Sequence, residues 1–360
     1  MKKIDKLLLI SVVILSLFGL LMIYSSSSIW ATYKFNDPYK YLKTQAIFLI
    51  LGFIIIKIVS NIPYPIYKKY SNIILFSCIT LLVLVLIPGI GTIRNGSRSW
   101  FGIGSFGIQP SEFSKLGLII FTSKYLTNNK IKKSVFPILL VVFIIFALIM
   151  LQPDFGTGVI IVMSIISLLF ISGVNMNFFI KLGILGLIGI IALVIIAPYR
   201  MQRITSFLNP WSDPLGSGFQ IIQSLYAIGP SGLLGTGLGN SIQKHFYLPE
   251  PQTDFIFSII SEELGFIGII IITTLFIIII YRGFKISMSQ EDRFSKYLAY
   301  GITFSIAFQT ILNLMVVVGL IPVTGVTLPF LSYGGSSLLV SMTEIGILLN
   351  ISKKQYKYIL

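Results

Sequence analysis

The chain has 360 residues, 55% of them hydrophobic and 11% charged, with mean hydropathy +0.92 and a formal net charge of +15. Soluble domains carry about 25% charged residues, so a water-soluble protein is excluded, and membrane topology accounts for the positive charge without a nucleic-acid partner. Apolar runs long enough to cross a membrane recur without strand-like alternation, which excludes a transmembrane barrel and leaves a helical bundle.

Ten spans are expected, near 7–27, 41–60, 72–90, 110–127, 135–151, 155–173, 180–198, 262–281, 297–319 and 329–351. The fold class is therefore an all-α polytopic membrane protein of about ten transmembrane helices, a single membrane domain over 1–360 with no soluble module. Lys2, Lys3 and Lys6 ahead of the first span, and the serines behind it, imitate a signal peptide. No A-x-A-like cleavage site follows, so this segment reads as an uncleaved helix. With the N-terminus in the cytoplasm, 18 Lys and Arg fall on cytoplasmic ends and loops, Lys130, Lys132, Lys133 and Lys357 among them. Eight fall outside (Lys34, Lys40, Lys43, Arg94, Arg98, Arg200, Arg203 and Lys244), and Lys115 lies inside the fourth span. Positive residues stay on the cytoplasmic side, so both termini are expected there. Cys78, the lone cysteine, rules out an internal disulfide and reads as a small buried apolar residue.

Two connections are long. Residues 91–109, GTIRNGSRSWFGIGSFGIQ, are rich in Gly and Ser and read as a loop. Residues 199–261 are too rich in Leu, Ile, Phe and Tyr for a disordered linker. Connections of that length are usually functional, so short helices and re-entrant turns are expected on the outer face, with 217–229 forming one amphipathic turn. The glycines of 229–241 follow no strand and lead to no Lys-Ser/Thr, so they are not a nucleotide loop. His245, the only histidine, has no metal-site spacing around it.

Scarce negative charge gathers on the expected outer side. Eight of the twelve acids fall there: Asp37, Glu112, Asp154, Asp213, Glu250, Asp254, Glu262 and Glu263. Acids contribute little to topology, so the clustering points to a site. Asp154, in QPDFGTG, either caps the sixth helix or is a carboxylate held at the membrane face beside a second one. Asp254 is expected at or just inside a helix start, where it either caps the helix or is kept ionised by its positive end. Glu262 and Glu263 lie deeper and should face a polar cleft or basic partners. Lys115 either pairs with Glu112 three residues earlier or meets an anionic ligand entering from the lipid. SYGGSSLL, 332–339, reads as close helix packing, and Glu344 has no account from sequence.

Five blocks carry a family resemblance: RNGSRSWFGIG with IQPSEFSKL, QPDFGTG, RITSFLNPWSDPLGSGFQIIQSLYAIG, FYLPEPQTDFIFSIISEELGFIG and LIPVTGVTLPFLSYGGSSL. Together, in this order, they resemble the SEDS family of shape, elongation, division and sporulation proteins, nearest its stage V sporulation branch and next its division branch. Two departures are SRSW for the commoner SRRW, and Glu344 where the family is usually small or apolar.

The resemblance implies a peptidoglycan glycosyltransferase of the bacterial cytoplasmic membrane that polymerises lipid II outside it. The family's essential aspartate lands on Asp254 and a second important one on Asp154, with Arg98 and Lys115 also at matched positions. Asp254 is expected as the base on the acceptor, and Arg98, Lys115 and Arg203 as the cations for departing undecaprenyl pyrophosphate. Glu250, Glu262 and Glu263 are expected to contact substrate. Asp154 would position Asp254 or a cation, and a divalent ion, magnesium or manganese, is the one cofactor considered. Expected partners are lipid II, undecaprenyl-linked glycan, membrane lipids and a class B penicillin-binding transpeptidase. Two rival readings are a lipid II flippase and a scaffold that recruits the transpeptidase.

Overall fold

The computed structural model describes residues 4–94, 96–103, 106–128, 135–196 and 198–355. Of the basic residues weighed for topology, Lys2, Lys3, Lys130, Lys132, Lys133 and Lys357 lie outside these, as do the side chains of Arg200 and Lys354.

All ten expected spans are helices: α1 (Lys6–Phe35), α2 (Lys40–Val59), α3 (Pro65–Leu86), α4 (Pro110–Asn128), α5 (Phe136–Met150), α6 (Phe155–Ile171), α7 (Met176–Ile196), α10 (Ile256–Met288), α11 (Arg293–Val317) and α12 (Gly335–Gln355). Between α7 and α10 lie the shorter α8 (Pro198–Leu208) and α9 (Phe219–Ile228). The second fits the turn expected over 217–229. Seven of the ten are long and apolar enough to cross a membrane on those grounds alone; α5 and α6 are apolar but shorter, and α4 carries Glu112, Lys115 and Lys124. Helix ends differ from the expected ones where polar residues continue a helix beyond its apolar stretch. α1 runs on through a serine cluster to Phe35, and α3 begins at Pro65, whose fixed φ suits a first turn.

Caps are local and legible. Asp5 accepts from Leu8 N–H at 3.0 Å and Asp292 from Ser295 N–H at 3.0 Å, each satisfying a free donor at a helix start. Asp5 also takes Arg282 Nε at 2.9 Å, joining the start of α1 to the far part of α10. The bundle packs α12 on α2, α3 on α4, and α10 on α11 and α1. Gly335 shows why SYGGSSLL is small: a Cβ there would lie 2.5 Å from the Phe48 ring of α2.

The Gly- and Ser-rich loop proves to be a three-stranded antiparallel meander, β1 (Thr92–Arg94), β2 (Ser97–Ile103) and β3 (Phe106–Ile108). Its short strands escaped notice because glycines interrupt them. Ser99 Oγ donates to the Gln152 carbonyl at 3.2 Å, and Ser336 Oγ to the Gly107 carbonyl at 3.0 Å, so the sheet is pinned to the α5–α6 turn and to α12.

α10 breaks at Gly265, where φ is 62° and ψ −158°, a region essentially reserved for glycine. The 232–237 turn repairs the broken ladder: Thr236 and Gly237 N–H donate to the Glu262 and Glu263 carbonyls, both at 2.9 Å. Phe266 N–H reaches the Gly232 carbonyl at 2.9 Å and Ile267 N–H the Leu233 carbonyl at 3.2 Å. Irregular backbone is tolerated here because protein, not lipid, completes its hydrogen bonds. A Cβ on Gly265 would sit 2.6 Å from the Leu233 carbonyl oxygen. Gly265→Ala is therefore expected to cost about 1–3 kcal/mol, read as a lower Tm in detergent; an unchanged Tm would mean that the break can relax.

Candidate active site

A strap between α11 and α12, residues 322–327 (PVTGVT), gathers the polar groups at one end of the bundle. Arg203 of α8 donates to its Val323 carbonyl at 3.0 Å. From α11, Asn313 Nδ2 reaches the Val326 carbonyl at 2.7 Å and Gln309 Nε2 the Thr327 carbonyl at 2.9 Å. Thr327 Oγ1 meets Ser337 Oγ of α12 at 3.0 Å. Gly156 of α6 lies against it so closely that a Cβ would be 2.8 Å from the Thr324 carbonyl oxygen.

Asp254 is tied to this strap. The Asn313 amide that holds Val326 also donates to the Asp254 carbonyl, at 2.7 Å. The Asp254 side chain does not cap α10, whose cap position is Phe255; it accepts from Thr253 Oγ1 at 2.9 Å. Nor does the helix end lower its pKa as expected. Burial pushes the carboxyl up to about 6, helped by the charge of Glu250 and opposed by that of Arg203. The residue is half-buried, so it remains open to a ligand. Tyr333 N–H donates to the Gln252 carbonyl at 2.8 Å, fixing the approach to Asp254.

Asp154 approaches from the other chain segment. Its Oδ1 caps α6 through Thr157 N–H at 3.2 Å, so the capping reading holds. Its Oδ2 accepts from Gln109 Nε2 at 3.0 Å and Ser111 Oγ at 3.1 Å, which is more than a cap needs. Gln109 N–H in turn donates to Ser336 Oγ at 2.9 Å. Burial raises the Asp154 carboxyl above the usual range, while the Thr157 and Ser111 bonds oppose the shift. Both aspartates are thus anchored to elements that grip one strap.

The remaining expected residues divide. Arg203 and Glu250 lie close enough for their charges to act on Asp254. Arg98, on β2, donates to the Leu86 carbonyl at 3.5 Å, and among the described residues no bond links it to either aspartate. The anionic-ligand contact expected of Lys115 is corrected. It is 2% exposed, pairs with Glu112 at 3.0 Å and donates to Gln309 Oε1 at 2.8 Å. The substrate contact expected of Glu262 and Glu263 is corrected too. Glu262 accepts from Ser241 Oγ and from Ile242 N–H at 2.8 Å; Glu263 accepts from Ser25 Oγ at 2.7 Å and pairs with Lys244 at 3.0 Å. Burial of two acids inside an apolar fold demands such partners, and here both carboxylates fasten the 239–244 turn to α10 and α1.

Gln309 and Asn313 were missed by the sequence reading. They stand four residues apart, on one face of α11, and two amides at that spacing in an apolar helix were the available signal. Asn313 Oδ1, Gln252 Oε1 and Thr324 Oγ1 are buried and have no hydrogen-bond partner among the described residues. A buried polar atom left unpaired costs about 1–3 kcal/mol, so three beside Asp254 and its strap mark a costly polar neighbourhood around this carboxyl. Among the described residues no three His, Cys, Asp or Glu converge as a metal site, and both oxygens of Asp154 already accept hydrogen bonds. The donor set does not fit a tightly held divalent ion.

Residues 5–357 match the family model for FtsW, RodA and SpoVE, described as cell cycle protein. The chain is 51% identical over 354 residues to stage V sporulation protein E of Bacillus subtilis (strain 168), covering 97% of each chain. It is 40% identical over 355 residues to a "Probable peptidoglycan glycosyltransferase FtsW" of Geobacter sp. (strain M18), again covering 97% of each. Its structure resembles one chain of a peptidoglycan synthase complex solved to show structural coordination of polymerization and crosslinking. The TM-score is 0.81 at 28% identity, over 98% of this chain and 99% of that one.

Proposed function

This chain belongs to the FtsW, RodA and SpoVE family of cell cycle proteins, and on that footing we propose that it is a peptidoglycan glycosyltransferase that polymerises lipid II. The bundle end that carries Asp254, Asp154 and the strap faces outward, with both termini in the cytoplasm. The reading rests on one observation: a half-buried carboxyl pushed up to about 6, flanked by buried polar atoms that have no partner among the described residues. A general base works best when its pKa lies near the operating pH.

Asp254 takes the proton from the 4-hydroxyl of the acceptor GlcNAc as that oxygen attacks the anomeric carbon of the donor MurNAc. The bond from that carbon to the phosphate oxygen breaks, and undecaprenyl pyrophosphate leaves with the electron pair. The α-linked donor becomes a β-1,4 link in one inverting step, so no covalent intermediate is needed. Arg203, whose charge already acts on Asp254, is the cation best placed for the departing pyrophosphate. Asn313 and the strap hold the base in place, while Asp154 sets Gln109 and Ser111. No step is routed through a metal.

The named relatives favour a role in sporulation or septal wall synthesis, and the synthase complex favours a class B penicillin-binding protein as partner. The purified protein, with and without such a transpeptidase, is expected to convert labelled lipid II into a ladder of glycan strands in detergent. A flippase moves lipid between two compartments and would form no polymer there; an empty ladder under both conditions would remove the enzyme reading.

A further inference from the structure

Glu344 of α12 is 0% exposed, and among the described residues neither carboxylate oxygen has a hydrogen-bond partner. Among the described residues the charges that act on it are Lys115 and Glu112, both from α4. Those two already form a pair at 3.0 Å, and Lys115 gives a further bond to the uncharged Gln309 amide of α11 at 2.8 Å. The neighbourhood thus holds two acids and one base, a formal charge of minus one, with the unpaired share on Glu344. Several charges on the helices around α12 are engaged elsewhere. Glu262 and Glu263 of α10 hold Ser241 and Lys244, Arg282 pairs with Asp5, and Lys353 of α12 itself bonds Ser60 and Asn61. Where α2 meets α12, Phe48 lies against Gly335 and Val59 against Gly346, and the uncharged Gln45 amide is bonded to Ser332 and Gly334.

An ionised carboxylate sealed in a bundle without a partner is strongly disfavoured. We propose that Glu344 is a binding site for a single monovalent positive charge, held on or against its carboxyl inside the bundle. A proton meets the need with no further ligand; a small alkali ion carries the same charge and would need oxygen ligands. Two more unpartnered buried oxygens mark the same helix faces. Thr122 Oγ1 lies seven residues beyond Lys115 on α4 and Ser305 Oγ four before Gln309 on α11, both on the sides that meet at the Lys115–Gln309 bond.

The charge state of this site bears on the strap. With the charge bound, Lys115 is left to Glu112 and Gln309, the arrangement observed. Without it, an ionised Glu344 competes for the ammonium, and Gln309 is the residue that holds the Thr327 carbonyl at 2.9 Å. The site does not depend on the chemistry assigned to Asp254, and its readouts need no lipid substrate.

The test compares the full-length protein with Glu344→Gln by thermal unfolding in detergent, across pH, in choline chloride and in sodium chloride at equal ionic strength. At acidic pH the two are expected to unfold together. As pH rises in sodium-free buffer the parent should fall behind Glu344→Gln by roughly 2–4 °C, because a proton held by the folded chain is lost as pH climbs. Recovery of the parent by sodium identifies an alkali ion as the occupant. No sodium effect, together with an infrared carboxylic-acid band present in the parent and missing from Glu344→Gln, identifies a proton. Glu344→Leu is a second neutral variant. Identical responses of parent and neutral variants to pH and sodium, or failure of both neutral variants to fold, would overturn the proposal.

Discussion

Asp254→Asn is expected to lower lipid II polymerisation by about 10²–10⁴-fold, the usual worth of a general base, while the protein still folds and inserts. Asparagine keeps the shape and can still accept from Thr253 Oγ1, which lies 2.9 Å from the aspartate oxygen. It cannot take a proton. Folding should not suffer. Burial raises this carboxyl to about 6, so its ionisation opposes folding as pH rises from the unfolded value toward 6. The neutral variant escapes that cost and should unfold no earlier than the parent at neutral pH. The parent's rate should climb with pH, pass half its plateau near about 6, and stay level above it until another group titrates. Polymerisation by Asp254→Asn at the parent's rate would remove the base assignment. A rate that ignores pH between about 5 and 8 would show that this ionisation does not govern the step.

The largest stability effect is expected at the Lys244–Glu263 pair. Glu263 is 0% exposed and Lys244 5%, so solvent does not screen them. Lys244→Met strands a buried carboxylate and should cost about 3–5 kcal/mol, visible as a strongly lowered Tm and early proteolysis of the 232–248 turn. The double variant Lys244→Met with Glu263→Gln removes the stranded charge and should recover much of that loss. Polymerisation per folded molecule should change little in the double variant, since neither side chain faces Asp254 through any bond described. Equal Tm values for the single and double variants would show that the charge pair itself is not what holds the turn.

Much of the protein was legible in its sequence. Runs of Ile, Leu, Phe and Val require helices in lipid, and ten helices followed from that alone, seven of them long and apolar enough to cross a membrane. Asp154 as a cap was readable from neighbouring Pro and Gly, because capping acts over a few residues, whereas Asp254 was expected at or just inside a helix that in fact begins two residues later. The family blocks marked both aspartates. Short strands broken by glycine, as in 92–108, carried too little periodicity to be seen.

What the sequence could not settle is which charge meets which. Lys115 and Glu112 could equally have paired or faced a ligand, and only the packing of α4 on α11 turned the ammonium toward Gln309. Glu262 and Glu263 looked like site residues until the 239–244 turn, about twenty positions earlier in the chain, was seen to close over them. Asn313 joins Asp254 to Val326 across 59 positions in one direction and 13 in the other. Apolar periodicity is a local property written into each segment, and it fixes helices. A buried charge is stable only against a partner brought from elsewhere in the chain, so the roles of the acids were decided by the tertiary structure.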